Sequence, residues 1–299
     1  FRELLRRQRA GELILLRYSL ADPVQALFAA GFRRVVTVHH TFEVEESRGA
    51  GPVKGRIKAW IERRLGARTL AHCRALVAVT AEIAAYEQAR LAHPLPALVA
   101  ANGIDLDHTP LAADTREGSP KLLFVASRFA SWHGLDLLLD AVARSGAAFT
   151  LFLVGELSPA ARARAAQDPR IVCTGSLSPA SIGDLTAACD LGIGTLALAR
   201  KGMREACTLK VREYLGSGLA CWADHRDAGL PADFQFMRQG DANLDDMLAF
   251  ALRMREVPRS VIRASAAPYV DKRELLARTA RFLAGLEVSR RPRNTHPGQ

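Results

Sequence analysis

Long apolar runs are missing from this sequence of 299 residues. No stretch approaches the roughly eighteen residues of a membrane-spanning helix, and no charged-then-apolar leader with a small-residue cleavage site opens the chain. A cytoplasmic protein is the expectation. Cysteine is sparse: Cys73, Cys173, Cys189, Cys207 and Cys221 are odd in number, scattered, and nowhere arranged as C-x-x-C. That excludes a disulfide framework and a cysteine zinc site, and fits a reducing compartment. Lysine is scarce too. Only 6 of the 41 basic residues are lysines, so the net charge of +10 is carried by 35 arginines. Neither aromatic-basic interleaving nor a helix-turn-helix pattern accompanies that charge, so nucleic acid is not expected as a partner; anionic lipid and phosphorylated substrates are. No G-x-G-x-x-G follows a strand, which disfavours a nicotinamide-dependent dehydrogenase. Internal repeats are absent. The chain begins with Phe1 rather than Met, and the expectation is a processed chain or a fragment.

What is present is a regular alternation of short apolar runs and longer amphipathic ones, with 49% of residues apolar and length enough for two domains. The first ten residues read as a basic helix. Strands are expected at 13–16, 35–40, 76–80 and 98–101, with helices at 21–30, 53–70 and 81–91 between them. VVTVHH, Val35 to His40, ends in two histidines at a carboxyl end, where open α/β sheets bind ligands. Glu43, Glu45 and Glu46 follow in a loop, either solvated or meeting substrate hydroxyls. The helix at 53–70 carries Lys54, Arg56, Lys58, Arg63, Arg64 and Arg68, with Ile57, Trp60, Ile61 and Leu65 as its apolar side. It reads either as a helix packed on its sheet or as one lying on a membrane surface. Asn102-Gly103-Ile104-Asp105 is a turn, and a polar linker runs from it to Pro120. Asp105-x-Asp107 spells a metal-binding signature but sits inside that linker.

A second unit opens with the apolar strand 121–127, then Arg128, the loop FASWHG and a helix at 135–144. Strands at 149–155, 171–175, 191–195 and 234–237 and helices at 179–188, 243–255 and 275–286 continue it. The tail, 289–299, reads as disordered. The densest chemistry lies in KGMREACTLKVREYLGSGLACWAD, 201–224. Thr208 can cap a helix through Leu215 that Gly216 and Gly218 stop, and a strand follows. The free amides of that helix suit a phosphate, and Lys210 in the first turn adds charge. Glu213, one turn on, suits hydroxyls instead. A sugar nucleotide has both kinds of group.

With these residues in place, the stretch resembles the Glu-x7-Glu segment of retaining glycosyltransferases of the GT-B fold, specifically glycosyltransferase family 4. Glu205 and Glu213 stand at its two glutamates, and Leu209-Lys210, Tyr214 and Gly218 at its other marks. The resemblance implies an α/β fold of two Rossmann-like domains facing across a cleft: 1–110, with an incomplete start, on the acceptor side, and 111–288 for the nucleotide sugar. It also implies roles. Glu205 lies near the donor sugar and Glu213 on the ribose, while His39, with His40 one register away, sits by the reacting carbon. Arg128 and His133 hold the diphosphate; the family's usual Lys is replaced by His133, with Lys210 to compensate or His133 protonating when nucleotide binds. Ala206, Cys207 and Thr208 replace the usual Gly-Phe-Gly. The function implied is metal-independent, retaining transfer from a nucleotide sugar to a glycan or lipid-linked hydroxyl in polysaccharide or glycolipid assembly. No cofactor is expected, and peripheral contact with the inner face of a membrane through 53–70 is the membrane option. A nucleotide-sugar-binding protein with a degenerate, weakly active cleft is the alternative.

Overall fold

A computed structural model describes residues 1–48, 51 and 53–288; the expected disordered tail at 289–299 lies outside the described residues. The chain starts with α1 (Arg2–Arg9) and builds a first sheet from β1 (Ile14–Arg17), α2 (Pro23–Phe28), β2 (Val35–His39), α3 (Glu43–Arg48), α4 (Lys54–Ala71), β3 (Ala75–Ala78), α5 (Ala81–Ala89) and β4 (Ala97–Val99). These strands lie side by side in chain order, all parallel. The second sheet takes β5 (Lys121–Arg128), α6 (Leu135–Arg144), β6 (Thr150–Glu156), α7 (Pro159–Ala165), β7 (Ile171–Gly175), α8 (Pro179–Ala188) and β8 (Leu191–Ile193). After β9 (Glu205–Ala206) and α9 (Leu209–Gly216) come β10 (Cys221–Ala223), β11 (Arg226–Asp227), β12 (Met237–Gln239), α10 (Leu244–Arg255), α11 (Arg259–Val270) and α12 (Lys272–Val288).

Strands buried on both faces must be apolar throughout, and Leu122, Leu123 and Phe124 at the centre of β5 have no exposed surface. Helix starts follow their capping residues. Asp22 accepts from the amides of Val24 and Gln25, Thr80 Oγ1 from Ile83, and Ser158 and Ser178 each precede a proline at the first helical position. The second sheet runs β12-β10-β8-β5-β6-β7, all parallel. Consecutive strands therefore progress outward on either side of the β5/β8 pair, and that pair is the topological switch point where parallel sheets open a crevice at their carboxyl ends. At that end Gly155 has φ +122°, and a Cβ there would collide with the Ala126 carbonyl oxygen, so only glycine fits.

The chain crosses between the two sheets twice. Ile104 donates its amide to the Val270 carbonyl (2.9 Å) and accepts from Lys272 (2.8 Å), so the outgoing and returning segments are zipped together. α12 then leaves the second sheet and packs Phe282, Leu283 and Leu286 against Val36, Ala75 and Val77 of the first. The expected division at 110/111 assigns this helix to the second domain; its apolar face belongs to the first.

Other expectations also shift. Glu43, Glu45 and Glu46 sit on the helix α3 rather than in a loop, with Glu43 buried. The strand expected at 234–237 is β12, because Phe234 and Phe236 turn into the core ahead of it. α7 and α11 carry no clear helical pattern in the sequence: the first is all Ala, Arg and Pro, without apolar periodicity, and Pro268 interrupts the second. On α4 the buried positions are Gly55, Ala59, Glu62, Gly66, Thr69 and Leu70; of the expected apolar side, Ile61 and Leu65 are half-buried and Ile57 and Trp60 face outward. Ile57 and Trp60 are 56% and 58% exposed. At Gly55 and Gly66 the helix comes so close to its neighbours that a Cβ would collide with Arg48 and Arg90. Among the described residues no helix is long and apolar enough to cross a membrane.

Candidate functional site

The switch point gathers most of the expected donor-side residues. β5 ends in Arg128, an exposed side chain held by Glu156 at the end of β6, with Nε and Nη2 at 3.0 and 2.9 Å from the same carboxylate oxygen. The loop after β5 meets the loop after β8: Leu196 donates its amide to the His133 carbonyl (3.0 Å). Gly134, at φ +73°, packs so closely on Leu196 that a Cβ would lie 2.8 Å from its backbone. α9 is pinned beneath this crevice by Tyr214, whose hydroxyl accepts from Val125 (3.1 Å) and reaches the carbonyls of Leu123 and Ile193. The helix thus bridges the two strands that define the switch point.

Lys210, in the first turn of α9, has an enclosed Nζ with no hydrogen-bond partner, 5.0 Å from the centre of the Phe124 ring. Burial brings this ammonium down to about 7, against the opposing pull of Glu213. Glu213 itself is exposed at the crevice. Shielding around its carboxyl raises its pKa, and Lys210 counters the shift. Thr208 stands at the N-cap with extended backbone, but its hydroxyl caps nothing; Oγ1 is enclosed and unpartnered. The expected cap is therefore replaced by free helix amides. His133 is buried, accepts the Ala130 amide at Nδ1 (2.9 Å) and tilts over Trp132 with ring centres 3.8 Å apart. Burial first, then Lys210 and Lys201, lower it to about 3. Without a bound anion it is a neutral residue that shapes the loop.

Glu205 lies on β9, which pairs with β11. Its carboxylate accepts from the Glu82 amide (3.3 Å) and from Arg226 (3.2 Å), and its own amide donates to Glu82 (2.8 Å). Glu82 opens α5, so Glu205 ties the second domain to a helix of the first. His39 is not brought to the crevice. It has no exposed surface: Nδ1 lies 2.7 Å from Glu43, Nε2 3.0 Å from Thr37, and the ring stacks on Tyr18. Burial lowers it to about 4. His40, the neighbouring alternative, is exposed.

Between the domains a cleft of about 1150 Å³ is lined by Phe42, Glu45, Glu46, Trp132, Arg200 and Lys201, among others. Lys201 spans it, 2.9 Å from Glu46 and 5.0 Å from the Trp132 ring. Sequence reasoning gave no role to Trp132, Lys201 and Glu82; the first two lie on single helical turns, Ser131–His133 and Leu198–Lys201, in the connections that follow β5 and β8, and the third in the first turn of the helix after β3, the places where parallel sheets collect ligands. Among the described residues, His39, Glu43 and Glu87 have ligand atoms within 4.8 Å of one another, the spacing of a metal site, away from the switch point and inside the first domain.

No protein-family model and no curated protein matches this sequence. Solved structures do. A glycosyltransferase from Rickettsia africae matches with TM-score 0.67 at 12% identity, covering 97% of this chain and 81% of that one. Anabaena Alr3699/HepE, solved with UDP and glucose, matches with TM-score 0.64 at 15% identity, over 95% of this chain and 81% of that one. Sucrose-phosphate synthase from Thermosynechococcus elongatus matches with TM-score 0.59 at 16% identity, over 86% and 68%. The fold is accordingly the two-domain GT-B arrangement.

Proposed function

We propose that this GT-B protein transfers a glycosyl group from a nucleotide-diphosphate sugar to a hydroxyl acceptor, with retention of anomeric configuration. The carrying observation is Lys210: an enclosed, unpartnered ammonium in the first turn of a helix that starts at the switch point of a parallel sheet. Burying a cation without a partner is costly, and an anion laid against the α9 amides removes that cost. In the reaction the bond from the anomeric carbon to the diphosphate oxygen breaks while the acceptor oxygen bonds to that carbon, and negative charge builds on the leaving diphosphate. Lys210, Arg128 and the α9 amides are fixed donors to that charge. Glu213 holds the ribose hydroxyls. Glu205 meets the donor sugar once its contacts to Glu82 and Arg226 rearrange, and the acceptor proton passes to the departing phosphate. His40 is the histidine of its strand end with access to solvent, which favours it over the enclosed His39 for contact near the reacting carbon.

The acceptor, a glycan or lipid-linked hydroxyl of polysaccharide or glycolipid assembly, enters through the interdomain cleft, where Glu45, Glu46 and Trp132 offer carboxylates and an aromatic face to a sugar ring. The exposed Ile57, Trp60 and the arginines around them on α4 support contact with an anionic membrane surface. Thermal shifts with UDP, GDP, ADP and their common sugars test the donor reading. A rise in Tm with one nucleotide, the same over chelator-treated baseline as over untreated, is expected; HepE, solved with UDP, makes UDP the first to try. No rise with any nucleotide overturns it. Binding without turnover of the cognate sugar would give the degenerate-cleft alternative.

A further inference from the structure

The first domain contains an imbalance of charge that the glycosyl-transfer reading does not use. Three carboxyls are enclosed there: Glu43, Glu62 and Glu87 are 2%, 1% and 0% exposed. One guanidinium answers them. Arg90 Nη1 lies 3.0 and 2.8 Å from the two oxygens of Glu87, and Nη2 2.5 Å from Glu62 Oε1. Glu62 is further satisfied by the Tyr18 hydroxyl (2.8 Å) and the Ala21 amide (2.7 Å). Glu43 has the His39 ring and faces the Glu87 carboxyl, with which it shares a hydrogen bond once one of the two is protonated; as two carboxylates neither can donate, and Glu43 Oε2 is then buried with no partner. Ionised, the three carboxylates outnumber the single guanidinium by two charges, a large cost in an enclosed site.

We propose that His39, Glu43 and Glu87 bind one divalent transition-metal ion of the zinc class, which staples β2, α3 and α5 together. The donor set, one imidazole nitrogen and two carboxylates, is one that zinc takes. His39 Nδ1 lies 2.7 Å from Glu43 Oε1 and 3.9 Å from Glu87 Oε1. Ligands held tetrahedrally at ~2.0–2.1 Å from zinc stand about 3.3 Å apart, so shifts of about half an ångström bring each carboxylate oxygen to that spacing from Nδ1, and all three ligand atoms already lie within 4.8 Å of one another. The supporting groups are also in place. His39 Nε2 faces Thr37 Oγ1 at 3.0 Å, which orients the ring, Tyr18 stacks behind it, and Arg90 holds Glu87 from the far side. Glu43 can give its unpartnered Oε2 as a further ligand. The ion supplies two positive charges where two are lacking. This site lies apart from Lys210 and α9 and does not depend on the donor reading.

Two protons shared among the carboxyls would balance the same charge, and the experiment separates the two. Full-length protein stripped with chelator is titrated with zinc chloride, with cobalt chloride as a spectroscopic probe. Expected are uptake of one equivalent, a Tm rise of at least about 5 °C at saturating zinc, and visible absorption of low-symmetry cobalt. The isosteric Glu43→Gln removes uptake, and Glu87→Gln weakens it by at least about tenfold. No uptake by the wild-type chain, with Glu43→Gln melting at or above it, overturns the site in favour of protons. Uptake left unchanged in Glu43→Gln and Glu87→Gln overturns it as well, because the ion is then elsewhere. Should a variant fail to fold, the cobalt spectrum of the wild-type chain still decides: absorption of low-symmetry cobalt supports the site, and its absence at saturating cobalt overturns it.

Discussion

Lys210 sets the energetics of the crevice one residue at a time. Its folded pKa of about 7 lies below the free value of 10.5, so between these limits the unfolded chain binds more protons. This group therefore lowers stability most below pH 7 and ceases to do so as the pH climbs toward 10. In the nucleotide complex the phosphate restores the ammonium. Diphosphate affinity of the wild-type chain should then fall by up to about tenfold per pH unit from 7.5 to 9, and calorimetry of Lys210→Met should lose that dependence together with roughly 1.5–3 kcal/mol of affinity. Glu213→Ala should cost nucleotide binding a similar ~1.5–3 kcal/mol through lost hydroxyl contacts; unchanged affinity would refute its role. Lys210 and Glu213 were legible because chain order alone puts them on one helix start. His39 was not, since its local sequence is that of a strand end, and only the packing of Tyr18, Glu43 and Glu87 encloses it.

At the scale of elements, the arginine excess turns out to be partly structural. Arg263 donates to the carbonyls of Leu106, Thr109 and Gly216, closing the end of α9 and binding it to the linker. Arg259 does the same for Thr186, Ala187 and Cys189 behind α8. Arg263→Met leaves those acceptors unpaired, so the urea midpoint should drop by the equivalent of about 1–3 kcal/mol. α4 differs: its small residues pack inward and its Ile57, Trp60 and basic residues remain outside. If that face meets lipid, cosedimentation with vesicles containing anionic phospholipid should exceed that with zwitterionic vesicles, weaken with salt, and fall several-fold in an Ile57→Ser, Trp60→Ser double variant. Equal binding by wild type and variant would discard the membrane contact.

Across the whole molecule, the two sheets are joined by the paired crossings at Ile104 and Asp271, by Glu82 with Glu205, and by α12. Because Phe282, Leu283 and Leu286 cover the first sheet, truncation after Asp271 should withdraw roughly 3–6 kcal/mol of apolar burial from it and leave an insoluble or partly unfolded chain, read by circular dichroism and solubility. The alternation of apolar runs, capping residues and turns determined the α/β architecture, most of its strand positions and the placing of Arg128 at a strand end and of Lys210 and Glu213 on one short helix, because strand burial and helix starts are local properties of a few neighbouring residues. The tertiary structure alone decided that His39 faces Glu43 and Glu87, that Glu205 reaches Glu82, that α4 turns its tryptophan outward and that α12 returns to the first sheet. Those outcomes depend on which distant residues meet, on how closely backbones approach and on how many charges share one enclosed space, quantities that no local pattern in the chain encodes.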